Sequence, residues 1–297
     1  MKTRKLTVIL ALILVSSLAF GQEYAFKVMA NKGSNEVKSD DAWLPLKTGA
    51  GLKSTDELKL VDNAYIGLIH ASGKPLEVRK AGNHKVADLA AQLGGGSSVL
   101  NKYTDFILSS NAESKKNKLS ATGAVHRATE TAAIKVMLPE NQKYADHYNT
   151  TAVINWDGSK AKGPYVVTLK NMFEDELAKF ETPETTLTVN LSDPKFAAES
   201  AILVEVSSKN DAKQVSKQHM IRKMSAADRD KVKNSLTGIL GEVSDPTALN
   251  KFILAGFYEE NNLLIDAIVA YEEAVKLEPS YREYYDEFLL RHGLKKY

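Results

Sequence analysis

The sequence predicts a multidomain α+β protein: a small N-terminal β-sandwich or barrel, a central β-sandwich, and a C-terminal helical module. Three observations carry this. Short apolar segments separated by Gly- and Asp-rich turns run from Tyr24 to about Leu89. A second, cleaner set with period two runs from Thr151 to Val206. From Asp211 onward the apolar spacing changes to that of amphipathic helices.

Residues 1–21 read as a secretory signal peptide. Lys2, Arg4 and Lys5 make a basic start, and Leu6 to Phe20 is an apolar run of 15 residues. Ala19 and Gly21 supply the small residues of a cleavage site before Gln22. A spanning helix needs about 20 apolar residues, and this run is shorter and interrupted by Thr7, Ser16 and Ser17. The expected location is therefore periplasmic or secreted, with no membrane span after cleavage. Cysteine is absent, so neither a disulfide framework nor thiolate chemistry is available.

In the first β-unit, residues 22–92, the segment YAFKVMA alternates Phe26 and Val28 against Ala25 and Lys27. AYIGLIH and PLEVRK follow, joined by the turn SGK. Trp43, Leu46, Leu52, Leu58, Leu60, Ile66, Leu68 and Val78 are the expected core. The stretch from Trp43 to Leu89 resembles the periplasmic β-domain of FecR-type proteins. The marks are Trp43, the turn Leu46-Lys47-Thr48-Gly49, the hairpin glycine Gly73, and Asp88-Leu89. The resemblance implies a small periplasmic β-fold. It does not bring the family's anti-sigma role, because the cytoplasmic helical domain that carries it has no counterpart before this region.

Residues 93–145 read as a linker. Gly94 to Ser98 is a Gly/Ser break, a short helix passes through Lys102, Phe106 and Ile107, and Ser109 to Lys118 is polar. AAIKVML, ending at Leu138, reads as a strand. In residues 146–210, Ala152, Ile154 and Trp156 share one face, as do Tyr165, Val167 and Leu169, and then Leu187, Val189 and Leu191. Ile202 to Val206 adds another strand. Such patterning argues half-buried antiparallel strands, and the early tryptophan suggests an immunoglobulin-like sandwich.

In residues 211–297, Ser225 is an N-cap with Asp228 three residues on, and Val232, Leu236, Ile239 and Leu240 share a face. Ala248 to Tyr281 follows, with Leu254, Ala255, Tyr258, Ala267, Tyr271, Ala274 and Pro279 at the spacing of a tetratricopeptide repeat, a helix–turn–helix unit of about 34 residues. Lys251 departs from that family's preferred Trp. A last helix, Tyr281 to His292, stops at Gly293. The resemblance implies a protein-binding role in which the first helix lines a groove, placing Leu249, Phe252, Gly256 and Glu259 on its inner, partner-facing side. A single repeat cannot bury its own apolar face, so flanking helices are expected to cap it and leave only a small docking surface.

Chemistry is hard to find. Without residues 1–21 the chain carries 36 basic against 37 acidic side chains, which argues against nucleic acid as a partner. Basic residues gather between Lys209 and Lys233, and acidic ones between Ala255 and Arg291, so the acidic segment suits a basic partner or its basic neighbour. His70, His84, His126, His147, His219 and His292 are scattered, with no HExxH or other metal-ligand spacing, and no GxSxG or P-loop occurs. No catalytic residue, metal site or cofactor is assigned. The sequence reads as a non-catalytic envelope adaptor that holds a protein partner. The alternative is a cell-wall or glycan-binding module using Trp43 and Trp156, and a hydrolase is the third reading.

Overall fold

The computed structural model describes residues 24–93, 100, 102–110 and 132–295. The expected signal peptide at 1–21, the expected Gly94 to Ser98 break and most of the expected Ser109 to Lys118 linker therefore lie outside the described residues. Eight strands build the N-terminal unit: β1 (Phe26–Lys32), β2 (Glu36–Ser39), β3 (Ala42–Pro45), β4 (Gly51–Leu52), β5 (Glu57–Leu60), β6 (Tyr65–His70), β7 (Pro75–Val78) and β8 (Gly82–Lys85). Helix α1 (Val86–Ala91) closes it. They form two four-stranded antiparallel sheets, ordered β4-β1-β6-β7 and β3-β2-β5-β8.

Alternation explains this core. Phe26, Val28, Leu58, Leu60, Ile66 and Leu68 are buried together with Leu46, Leu52 and Val78. Trp43 does not join them. It sits on the outermost strand β3, half-buried, with the Lys59 ammonium 5.7 Å from its ring centroid. Gly73 makes the β6–β7 turn at φ +91°, a conformation that disfavours any side chain. A register shift between Val28 and Ala30 redirects β1. Met29 and Ala30, with Tyr65 and Ile69 of β6, consequently join a second and larger core.

The central strands are β9 (Lys135–Val136), β10 (Asp146–His147), β11 (Thr151–Asp157), β12 (Tyr165–Lys170), β13 (Glu176–Thr182), β14 (Thr186–Asn190), β15 (Ala201–Ser208) and β16 (His219–Lys223). They form a five-stranded sheet, β10-β16-β15-β12-β13, and a three-stranded one, β14-β11-β9. Pairing is antiparallel except between β10 and β16. Ala152, Ile154, Trp156, Val167, Leu169, Ile202, Val204 and Val206 are buried as their spacing predicts.

Two strands differ from the sequence reading. β13 carries its apolar side chains Leu177, Ala178 and Phe180 only partly buried, so its pattern is weak. The helical region was expected from Asp211, whereas β16 pairs with β15 and the first C-terminal helix begins at Ala226. Its inward residues are His219 and Ile221, and a histidine in the core breaks the apolar alternation.

The helices are α2 (102–110), α3 (Ala226–Val243), α4 (Ala248–Glu260), α5 (Leu264–Leu277) and α6 (Arg282–Arg291). The Ser225 hydroxyl caps α3 by accepting from the Asp228 amide and donating to its carboxylate. On α3, Leu236, Ile239 and Val243 are buried, while Leu240 is exposed. α6 ends in a Schellman turn: Gly293 has φ +68°, and Leu294 N–H reaches the Leu289 carbonyl. Among the described residues no helix is long and apolar enough to cross a membrane.

Helices α4 to α6 bridge the two β-units. Towards the first, Tyr281 and Tyr65 share a hydroxyl hydrogen bond of 2.7 Å, and Leu249 N–H donates to Glu77 at 2.8 Å. Towards the second, Asp266 accepts the Tyr148 and Asn149 amides at 2.8 Å each, and Asn155 donates to Glu272 and Tyr285. One continuous apolar core runs from Met29 and Tyr65 through these helices to Trp156 and Val204.

Candidate functional site

The four residues expected to face a partner are all inside the chain. Leu249 and Phe252 are fully buried. The Phe252 ring lies 4.6 Å from that of Tyr281 and 4.7 Å from that of Tyr284. Gly256 touches α2 so closely that a Cβ there would stand 2.4 Å from Ile107. Glu259 is buried too, accepting from Arg291 at 2.7 Å and the Tyr271 hydroxyl at 3.2 Å, and lying 2.8 Å from a His292 ring nitrogen. Burial pushes its carboxyl pKa up, but His292 and Arg291 outweigh this and hold it below the usual carboxylate range. The inner face of α4 is thus covered by β6–β7, α2 and α6.

An open face of a different kind exists where the central sheets meet the C-terminus. A cleft of about 1190 Å³ is lined by residues 132–141, the loop from Asp157 to Lys160, and Gly293 to Lys295. Trp156 and Tyr165 meet edge to face at its base, 5.5 Å apart, and the Tyr165 hydroxyl donates to Ala161 O. Ile134, Val136, Met137, Leu138, Leu264 and Leu294 make the walls apolar. Lys135, Lys160, Lys217 and Lys295 line it against two carboxylates, Glu140 and Asp157.

Several of the polar groups are engaged with one another. Lys217 pairs with Glu140 at 3.2 Å, and Lys135 donates to the Gly293 carbonyl at 2.8 Å. The Ser159 amide holds the Asp157 carboxyl below its ordinary pKa. Burial lowers the pKa of His219, which keeps its ring neutral at pH 7. His219 Nδ1 and the Trp156 indole N–H are buried and have no hydrogen-bond partner among the described residues. His70 bonds Ser72 and His84 the Lys80 carbonyl, in different sheets. Among the described residues no three His, Cys, Asp or Glu side chains converge as a metal would require.

Scanned against family models the chain matches none, and a search of curated proteins finds no match either. Sequence reasoning singled out Trp156 but missed the cleft around it. Its lining comes from six separated stretches of the chain, none with a motif, and Lys217 and His219 fall where a helix was expected.

Proposed function

We propose that this protein is a non-catalytic adaptor of the cell envelope, and that it engages its protein partner through the cleft beside Trp156. The observation that carries the reading is the cleft's character. It is larger than the roughly 300–1,000 Å³ of small-molecule sites, apolar at the base and lysine-rimmed. Such a surface suits side chains of a macromolecule. The signal-like segment at residues 1–21 supports export to the periplasm or beyond. The resemblance of the N-terminal unit to FecR-type periplasmic domains, and of α4–α5 to a tetratricopeptide repeat, supports a life among envelope proteins. In this reading the repeat acts as an internal bracket. The glycan alternative rested on Trp43 and Trp156, of which Trp156 is buried and Trp43 lies half-buried with the Lys59 ammonium over its ring.

The test is affinity capture from envelope extracts of the source cell with wild type and a Lys160→Glu/Lys217→Glu variant. Partners held by wild type and lost by the variant are the expected outcome. Identical sets, or none, would overturn the cleft as the binding element. N-terminal sequencing of the mature chain is expected to begin at Gln22.

A further inference from the structure

The β12–β13 hairpin ends in five consecutive exposed residues, Met172-Phe173-Glu174-Asp175-Glu176. Phe173 is 87% exposed and Met172 47%, among the few large apolar side chains of the described residues left open to solvent. The turn beneath them is rigid. Asn171 Oδ1 accepts from the Phe173 and Asp175 amides at 2.8 and 2.9 Å, and its Nδ2 donates to the Asp175 carboxylate. Asn171 N–H closes the loop on the Asp175 carbonyl, and Glu174 sits at φ +67° to make the bend. A tip whose backbone is already fixed has less ordering entropy to lose on binding, which is one way binding anchors gain affinity.

This tip is an apolar point ringed by three carboxylates, and the cleft is an apolar hollow rimmed by lysines. The two are complementary in charge and in polarity. They also lie at opposite ends of one element. Tyr165 at the start of β12 and Thr185 just beyond β13 line the cleft, and Met172 stands seven residues further along. At about 3.3 Å per residue that is roughly 23 Å, so a chain cannot seat its own tip in its own cleft. A second copy can.

We propose that the protein self-associates head to tail, the Met172-Phe173 tip of one copy entering the Trp156 cleft of the next. This rests on the cleft being a protein-binding surface, as argued above. Because donor and acceptor surfaces differ, the contact is heterologous and continues into a ring or a filament unless blocked.

Sedimentation of the mature chain over a concentration series, at low and high salt, reads the assembly. Growth beyond the dimer that weakens with salt is expected, and Phe173→Ser is expected to weaken it by about 30-fold, the effect of removing an interface hot spot. Reversing the tip (Glu174→Lys/Glu176→Lys) or the rim (Lys160→Glu/Lys217→Glu) should each give monomers, whereas mixing the two restores association. A wild type that stays monomeric to millimolar concentration overturns the proposal. So does a Phe173→Ser chain that assembles normally, or a mixture that fails to pair. Capture from envelope extracts with Phe173→Ser, whose cleft is intact, reads the adaptor role by itself. Partners retained by Phe173→Ser, together with a wild type that stays monomeric, would remove this inference and leave the adaptor standing.

Discussion

Asp266 offers the sharpest test of how the helical layer is held to the central sheets. Its side chain is fully buried in the first turn of α5, accepts two backbone amides at 2.8 Å, and lies 3.2 Å from His147 Nδ1. Hydrogen bonds to a charged group contribute about 1.5–3 kcal/mol each, and a carboxylate near a helix N-terminus gains a few tenths more. Asp266→Asn keeps the shape but turns an NH₂ group towards one of the two amides. One bond is lost and a donor is left facing a donor, so the cost is about 3 kcal/mol, and Asp266→Ala costs about 4–5. For a chain of this size each kcal/mol lowers Tm by roughly 2–4 °C, so the Asn variant should melt about 6–12 °C early. Thermal unfolding followed by circular dichroism measures this, with Lys231→Ala as control. Lys231 makes an exposed i,i+3 pair with Asp228, and solvent-exposed pairs of this kind contribute little to stability. An Asp266→Asn chain that melted with wild type would refute the bridge.

Two further outcomes follow from the same packing. Gly67→Ala would put a Cβ 2.8 Å from the Tyr281 hydroxyl and 3.3 Å from that of Tyr65; overpacking of this kind costs about 1–3 kcal/mol, visible as a lower denaturant midpoint with unchanged slope. Glu259, whose folded pKa is held below the ordinary value, stabilises fully above that value and loses the contribution as pH falls through the lowered one. Glu259→Gln should therefore destabilise by about 2–3 kcal/mol at pH 7, less than a fully buried pair because Arg291 reaches solvent, and should flatten the acid limb of the stability curve measured between pH 3 and 7.

Much of the fold was legible because strand alternation is a local property. Phe26, Val28, Ile154, Val167 and Val204 are buried for the reason their spacing suggests. Trp43 shows the limit: its strand was readable, but whether that strand lies inside a sheet or at its edge depends on partners far along the chain. His219 shows another, since a polar residue on the inward face hides a strand from pattern reading. The candidate site fared worse for a physical reason. Resemblance to a repeat indicates which face of α4 is inner, but the cover on that face comes from residues 65–79, 103–107 and 281–291. Gly256 was the available clue. A glycine inside a helix lacks the packing a side chain would give, and here it lets Ile107 of α2 approach the backbone.

The shared core also decides which experiments can speak about function. Removing residues 248–297 would strip Tyr65 of its Tyr281 partner and Asn149 and Asn155 of theirs on the other side. It would also bare Met29, Ala30 and Ile69 on a sheet face built for burial. A truncated chain would lose binding because it aggregates, whatever the helices do. Substitutions at the lysine rim and at Phe173 do not have this fault: Lys217 and Phe173 are exposed, and Lys217 makes a surface ion pair with Glu140, whose loss costs little. The C-terminal helices are thus to be tested through what they hold in place, and the proposed partner through the surfaces they leave open.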